Sequence, residues 1–208
     1  MPSIIIFDFD GVIVDSNEVR INGFIRLYQN RYPWAIDEFR RYLRLNSGLS
    51  RYKKIEYFYK NILRIEPELT ILTKDAEDYS SIVTSDVIKA PFIDGSIDFI
   101  KKNINRFEYA MISSSNQLEL IKICMSRDID KYFTEILGSP IEKNKNIERF
   151  IRNKNAIKSE IVYVGDTKYD EIAALNSGIS FVGFGQKSEF SQTEKVVNTY
   201  AELEKILH

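Results

Sequence analysis

The stretch SIIIFDFDGVIVDS, at residues 3–16, constrains the fold of this chain more than any other. Its three isoleucines, at residues 4–6, form a β-branched run that is typical of a strand buried on both faces. Such strands occur in parallel sheets that are covered by helices. Asp8 and Asp10 follow the run directly, and Gly11 lets the backbone turn after them. The sequence therefore predicts a buried strand with two carboxylates at its carboxyl end.

Asp8 and Asp10 should repel each other at the end of this strand. At a separation of about 5 Å and an effective dielectric constant of about 20, the repulsion costs roughly 3 kcal/mol. A divalent cation is the simplest group that could offset this cost. The pair therefore indicates a metal site.

Four further apolar runs resemble buried strands, and helical patterns lie between them. The runs are EYAMISS at 108–114, TEILG at 134–138, EIVYVGD at 160–166 and ISFVGFG at 179–185. After Asn116, which can serve as an N-cap, apolar residues recur at helical spacing. This alternation predicts an α/β fold, with an open, parallel, Rossmann-like sheet and right-handed crossovers.

Residues 17–90 interrupt the alternation of strands and helices. They contain helix-like stretches near 18–31, 37–45, 51–64 and 68–87. Their aromatic residues are expected to pack a small helical core: Trp34, Tyr42, Tyr57, Phe58 and Tyr59. We therefore predict a core domain made of residues 1–16 and 91–208, with residues 17–90, the helical insertion, placed after the first strand.

Composition excludes several classes of function. A formal net charge of −1 gives no general attraction to nucleic acid or membrane, and no apolar run approaches the ~20 residues of a membrane span. Strand-like sequence from Ser3 argues against an N-terminal signal, and the single cysteine, Cys124, suits a reducing, cytoplasmic setting. The single histidine is the terminal His208, so acid–base chemistry should fall to carboxylates, lysines or tyrosines.

Polar residues stand at four of the predicted strand ends, where open parallel sheets bind their ligands. These residues are Asp8 and Asp10, the serines at 113–115, Lys143 and Lys145, and Asp166 and Asp170. Each has a local alternative, because Asp170 or a serine can cap a helix and a lysine after a proline is usually solvated. Four such ends in this order are harder to explain by capping alone.

These motifs resemble those of the haloacid dehalogenase-like hydrolase superfamily, whose phosphatases use an aspartate nucleophile. DFDGV resembles its first motif, MISSS its strand ending in serine or threonine, GSPIEK its lysine motif and GDTKYD its last acidic motif. The resemblance covers nearly the whole chain. It identifies the helical insertion as a small cap, as in the phosphoglycolate phosphatase and β-phosphoglucomutase-like branch.

The resemblance implies a role for each acidic residue. Asp8 would attack phosphorus as the nucleophile, and Asp10 would protonate the leaving alkoxide and later accept a proton from water. The neighbouring carboxylate is expected to raise the pKa of Asp10. Mg²⁺ would be held by the side chains of Asp8 and Asp166 and by the backbone carbonyl of Asp10, while Asp170 orders the metal's water shell.

The phosphoryl group would be bound by Ser113 and Lys143, with the amide of Ser114 nearby. Two alternatives stay open. Lys145 could replace Lys143, because many relatives place the lysine directly after a glycine. Ser114 could replace Ser113, because the serine run permits a shift of one residue.

The stretch SGLSRYKK, at residues 47–54, resembles a Gly-x-Ser-Arg stretch through which related caps face the catalytic site. Arg51 would then contact the leaving group of the substrate, for which a guanidinium favours an anionic group. In the alternative interpretation, Ser50 caps a helix and Arg51 lies on its solvated first turn.

We therefore expect Mg²⁺-dependent hydrolysis of a small phosphorylated metabolite, a phosphomonoester, through an aspartyl phosphate. A sugar-phosphate mutase would use the same site, but such relatives usually carry a histidine shortly after the first motif, and DSNEVRINGF contains none. A third possibility is a protein that binds phosphate or a partner without turnover. It has no support in the sequence, because every expected catalytic position is filled.

Overall fold

The computed structural model describes residues 2–207, so His208 and the expectation attached to it lie outside the described residues. One sheet contains the strands β1 (Ile4–Phe7), β2 (Glu108–Asn116), β3 (Glu135–Ser139), β4 (Ile161–Gly165), β5 (Ser180–Phe184) and β6 (Val196–Val197). Neighbouring strands are parallel, in the order β3-β2-β1-β4-β5-β6. The predicted α/β class with an open parallel sheet is confirmed. The two-residue β6 is too short to have produced a strand pattern in the sequence.

Strand β1 lies between β2 and β4, and all four of its residues are buried. Ile5 and Phe7 belong to the apolar cluster on one face of the sheet, whereas Ile4 and Ile6 belong to the cluster on the other. The uninterrupted apolar run follows from these two covered faces, because strict alternation would place polar side chains in one of the cores. Asp8 therefore emerges at the middle of the carboxyl edge of the sheet.

The helices are α1 (Asn17–Tyr28), α2 (Ile36–Leu45), α3 (Arg51–Tyr57), α4 (Leu69–Lys89), α5 (Ser96–Lys102), α6 (Gln117–Ser126), α7 (Lys143–Lys154), α8 (Lys168–Ser177) and α9 (Tyr200–Leu207). The predicted N-cap of α6 is confirmed, since the Asn116 side chain accepts hydrogen bonds from the amides of Leu118 and Glu119. Among residues 2–207, no helix has both the length and the apolar composition needed to cross a membrane.

Helices α1 to α4 occupy the helical insertion, and α3 continues as a π-helical segment, Phe58–Leu63. Most of the predicted aromatic packing is present: Tyr28 stacks on Phe58 with ring centroids 4.0 Å apart. The same apolar cluster includes Phe7 of β1, so it extends from the sheet into the insertion. The prediction was wrong for Trp34, which is 69% exposed because it lies in a short turn between α1 and α2.

Candidate active site

A cavity of about 40 Å³ lies between the carboxyl ends of the central strands and the helical insertion. The predicted residues Asp8, Asp10, Ser113, Ser114, Lys143 and Asp166 line it from the sheet, and Arg51 lines it from the insertion. Asp170 is fully buried behind the cavity, against Lys143. The four polar strand ends predicted from the sequence therefore converge on one place.

Lys143 is the lysine that enters the cavity. It is the first residue of α7, it is 7% exposed, and its ammonium group lies 3.0 Å from Asp8 and pairs also with Asp170. Burial alone would lower the pKa of Lys143, but the attraction of Asp170 and Asp8 outweighs it and raises that pKa. Lys145 is exposed and pairs with Glu148 at 3.1 Å, so it cannot take the same place in this arrangement.

Asp170 is a helix cap, as in the alternative interpretation of the sequence, and its role in ordering a metal's water shell stays a prediction. It forms a capping box with Thr167 at the start of α8, and one carboxylate oxygen accepts hydrogen bonds from the Thr167 amide and hydroxyl. The other oxygen accepts from Lys143 and from the Tyr163 hydroxyl. Asp170 thus holds Lys143 in position, and both of its oxygens are already occupied.

Asp8 and Asp166 each keep an unused oxygen. The Oδ1 atoms of both are buried and, among residues 2–207, have no hydrogen-bond partner. The side chains of Asp8, Asp166 and Asp170 each place an oxygen within 4.8 Å of the others. Unpaired buried carboxylate oxygens are unfavourable unless a ligand satisfies them, and hard cations prefer such oxygens. This part of the cavity therefore fits a divalent cation.

The pKa values of these two acids reflect the same crowding. Burial raises the pKa of Asp8 to about 7, with repulsion from Asp170 and Asp10 added and attraction by Lys143 opposing. Burial, followed by repulsion from Asp8 and Asp170, raises the pKa of Asp166 well above its usual range. A cation between the two would favour their charged forms.

Gly11 makes room for this cluster. Its φ angle is +79°, and a Cβ atom at this position would lie 2.1 Å from the Oδ2 atom of Asp166. That oxygen accepts a hydrogen bond of 2.8 Å from the side chain of Asn17, the first residue of α1. The glycine therefore lets the first strand's turn approach the distant carboxylate.

The pKa of Asp10 differs from the value expected from the sequence. Its carboxylate accepts hydrogen bonds from Ser16 at 2.5 Å, Arg20 at 2.9 Å and Ser115 at 2.8 Å. Burial would raise the pKa of Asp10, but the charge of Arg20 and these hydrogen bonds outweigh it, so the pKa is lowered rather than raised. The predicted repulsion between Asp8 and Asp10 is thus offset in part by two separate cations, Lys143 and Arg20.

The three serines at the end of β2 face different partners. Ser113 is 2% exposed, lines the cavity and accepts a hydrogen bond from the Ser115 amide. The Ser114 hydroxyl donates to the Gly48 carbonyl at 2.6 Å and so joins the sheet to the helical insertion. Ser113 therefore has the freer hydroxyl group for a ligand, and Ser114 offers its backbone.

Arg51 fits neither of its two predicted environments completely. Ser50 caps α3 as proposed in the alternative interpretation, but Arg51 is only 4% exposed and is not solvated. Its guanidinium donates to both oxygens of Glu119 at 2.8 Å and also to Ser80. Contact of Arg51 with a substrate stays a prediction, and its charge is already paired.

Arg20 and Glu119 are absent from the residues predicted from the sequence, although Arg20 lines the cavity and Glu119 pairs with it. Arg20 pairs with Asp10 and, at 2.5 Å, with Glu119, which lies 99 residues away on α6. Burial would raise the pKa of Glu119, but Arg20 and Arg51 lower it to about 2. One feature of the sequence could have indicated that Arg20 belongs to the site: Asn17 and Arg20 lie three residues apart on α1 and so share a face.

Replacing Arg51 by alanine is expected to lower the free energy of unfolding by about 2–3 kcal/mol, because buried Glu119 loses two charged hydrogen bonds but keeps Arg20. Urea denaturation would measure the change. The control is Arg44→Ala, which removes an exposed pair with Glu18 at 3.4 Å and should change the free energy by less than about 1 kcal/mol. Similar losses in both variants would contradict a buried ionic link.

The sequence itself matches a known family. The profile described as haloacid dehalogenase-like hydrolase matches residues 5–184, most of the chain. No curated protein sequence matches significantly.

Several solved structures have a similar fold. A haloacid dehalogenase-like family hydrolase from Streptococcus pneumoniae has a TM-score of 0.78 and 17% identity, covering 100% of this chain and 99% of that chain. CbbY from Rhodobacter sphaeroides, in complex with phosphate, has a TM-score of 0.79 and 14% identity, covering 98% and 96%. A predicted phosphoglycolate phosphatase from Haemophilus somnus has a TM-score of 0.76 and 14% identity, covering 100% and 98%. At these identities the likeness shows a shared fold.

Proposed function

Because this chain belongs to the haloacid dehalogenase-like hydrolase family, we propose that it is a Mg²⁺-dependent phosphatase of a small phosphomonoester. One observation carries the proposal: the Asp8 carboxylate pairs with Lys143, lies beside Asp166 and Asp170, and keeps an unused oxygen at the wall of the cavity. The complex of the structurally similar CbbY with phosphate supports the same chemical class.

In the proposed reaction, a carboxylate oxygen of Asp8 attacks phosphorus and the alcohol leaves, which produces an aspartyl phosphate. A water molecule then attacks the phosphorus, releases orthophosphate and regenerates Asp8. Ser113 and Lys143 hold the phosphoryl oxygens, and the ammonium charge of Lys143 stabilises the negative charge of the transition state. Asp170 already holds the ammonium group of Lys143 beside Asp8.

Asp10 would donate a proton to the departing alkoxide and later take one from the attacking water. The Arg20 contact favours its ionised form, which suits the second step. The first step requires a protonated Asp10. The Arg20 contact lowers the pKa of Asp10 and so disfavours that protonated form in this arrangement.

The donor set suits a hard cation such as Mg²⁺ rather than a soft metal, because every available ligand is an oxygen. Asp8, Asp166 and the backbone carbonyl of Asp10 would hold the ion. When bound, it would neutralise charge on the phosphoryl oxygens. We further propose a reducing, cytoplasmic setting, because the single cysteine is a buried free thiol.

Hydrolysis of p-nitrophenyl phosphate tests this function. With millimolar Mg²⁺ we expect turnover that falls at least about 100-fold after chelation and returns when Mg²⁺ is restored, because the acidic cluster needs a cation to accept a phosphate dianion. Release of p-nitrophenol and of orthophosphate would both be followed. Turnover that is insensitive to chelation would contradict the metal requirement, and no release of orthophosphate would contradict the phosphatase.

A further inference from the structure

Tyr163, the middle residue of β4, has a buried hydroxyl group behind the candidate active site. Its side chain is fully buried, and its ring centroid lies 6.4 Å from that of Phe181. Burial, followed by repulsion from Asp170 and Asp8, raises the pKa of Tyr163 well above its usual range, so the hydroxyl stays protonated. Tyr163 is not among the residues that line the cavity, so any effect on a ligand there must pass through another residue.

The Tyr163 hydroxyl connects two parts of the chain that carry proposed phosphoryl ligands. It donates to the Ile112 carbonyl at 2.6 Å and lies 3.1 Å from the Oδ1 atom of Asp170. Ile112 directly precedes Ser113, and Asp170 pairs with Lys143. Because a phenol has one proton, these two acceptors share it. The hydroxyl is therefore one step removed from both proposed ligands.

The contact with Ile112 lies where the regular sheet ends. Strand β1 pairs with β2 as far as Met111, and the register between β2 and β3 shifts after Ile112. The Tyr163 hydroxyl reaches from β4 across β1 to this point, because β1 lies between β2 and β4 in the sheet. We therefore expect the Ile112 contact to stabilise the fold.

The contact with Asp170 affects the position of Lys143. The Oδ2 atom of Asp170 accepts from the amide and hydroxyl of Thr167, which leaves Oδ1 for Lys143 and Tyr163. The ammonium group of Lys143 pairs with this oxygen and, at 3.0 Å, with Asp8. A hydrogen bond from Tyr163 offsets part of the negative charge on Oδ1. Asp170 therefore holds the ammonium group less strongly, which favours its contact with Asp8.

We infer that Tyr163 is a positioning residue for the proposed reaction, because its hydroxyl directs Lys143 towards Asp8 by sharing the Oδ1 atom of Asp170. The inference rests on the proposed function. Tyr163 acts on Asp170, Asp170 acts on Lys143, and Lys143 binds the phosphoryl group. If Tyr163 contributed packing alone, phenylalanine could replace it without any loss of phosphate binding.

Tyr163→Phe removes only the hydroxyl and tests this inference. Of the two donors to Oδ1 of Asp170, the variant keeps only Lys143, so the ammonium group should move away from Asp8. We expect kcat/KM for p-nitrophenyl phosphate to fall about tenfold, because a hydrogen bond to a charged group is lost. Calorimetry in saturating Mg²⁺ should show that the Kd of orthophosphate rises by a similar factor.

Tyr200→Phe is the matched control. Tyr200 is also buried, and its hydroxyl donates to the Val12 carbonyl at 2.8 Å, so this change removes a buried hydrogen bond without altering Asp170. Both variants should have a lower free energy of unfolding than the wild type, but Tyr200→Phe should keep kcat/KM and the Kd of orthophosphate near their wild-type values. Similar losses of activity in the two variants would overturn the positioning role.

A double-mutant cycle with Lys143→Met separates an effect through the lysine from a general one. In that background, Tyr163→Phe should lower kcat/KM further by less than about twofold, because the ammonium group that it positions is absent. A tenfold loss that persists without Lys143 would overturn the inference, as would wild-type behaviour of Tyr163→Phe itself.

The binding measurements distinguish failure of the inference from failure of the proposed function. A wild-type protein that binds orthophosphate but hydrolyses no phosphomonoester would overturn the proposed function, and the Kd values of the variants would still decide the role of Tyr163. A wild-type protein that does not bind orthophosphate would overturn both.

Discussion

Asp8→Asn is expected to lower kcat for p-nitrophenyl phosphate by at least about 10⁴-fold. The amide has nearly the shape of the carboxylate, but its oxygen is a poor nucleophile and carries no charge for a cation. No aspartyl phosphate can then form. The measurement is steady-state release of p-nitrophenol in saturating Mg²⁺, together with mass spectrometry of acid-quenched protein for a covalent phosphate.

Loss of folding would not explain such a result. The pKa of Asp8 is raised from 3.8 to about 7, so the folded protein binds a proton that the unfolded chain releases between these values. The contribution of Asp8 to the free energy of unfolding is therefore lost as the pH rises towards 7. The uncharged amide of asparagine avoids this loss. Metal-free Asp8→Asn should melt at or above the wild-type temperature at pH 8. Activity near the wild-type level in a folded variant would remove Asp8 from the proposed mechanism.

The sheet could be predicted because each of its longer strands has a recognisable pattern within a few consecutive residues. The β-branched run before Asp8 has no polar position, which requires two covered faces, and the four later apolar runs repeat the pattern. Parallel strands place their carboxyl ends along one edge, so the meeting of Asp8, Ser113 and Asp166 followed from topology alone. Their chemical roles came from the resemblance of the motifs and not from the pattern of strands.

The environment of Asp10 could not be predicted, because it depends on a partner from another element. Its lowered pKa results chiefly from Arg20, which reaches the carboxylate only because α1 folds back over the end of β1. Arg20 is held in turn by Glu119 on α6. No spacing of residues in the sequence indicates either contact. The neighbouring Asp8 carboxylate instead suggested that the pKa of Asp10 would be raised.

The sequence also could not predict which residues of the helical insertion are buried and which of its charges are paired. Periodicity indicated helices but did not say which aromatic residues would be covered, and Trp34 is exposed while Phe58 is buried. Arg51 and Lys54 lie three residues apart on α3 and both line the cavity, yet only Arg51 has a carboxylate partner. That difference arises from Glu119, which the insertion meets only in the folded chain.

The choice between Lys143 and Lys145 depended on where a helix begins. Helix α7 starts at Lys143, and two residues along a helix correspond to a rotation of about 200°, so the two side chains leave it on nearly opposite sides. One therefore points at Asp8 and the other at solvent. The sequence contains both lysines but does not mark the first residue of the helix clearly enough to assign them.

Lys143→Met is expected to lower kcat/KM for p-nitrophenyl phosphate by about 10³-fold, because the phosphoryl oxygens lose a buried cation aimed at their developing charge. It should also lower the free energy of unfolding of the metal-free protein by about 3–5 kcal/mol, since Asp8 and Asp170 lose their shared partner. Lys145→Met removes only an exposed pair with Glu148 and should leave both quantities near their wild-type values.

Addition of Mg²⁺ should restore part of the stability of Lys143→Met but not its activity. A cation bound by Asp8 and Asp166 would replace the positive charge that these acids lost, but not the one that the phosphoryl group lost. If Lys145→Met lost activity and Lys143→Met did not, the lysine motif would have to be reassigned to the exposed residue and α7 would have to begin differently during turnover.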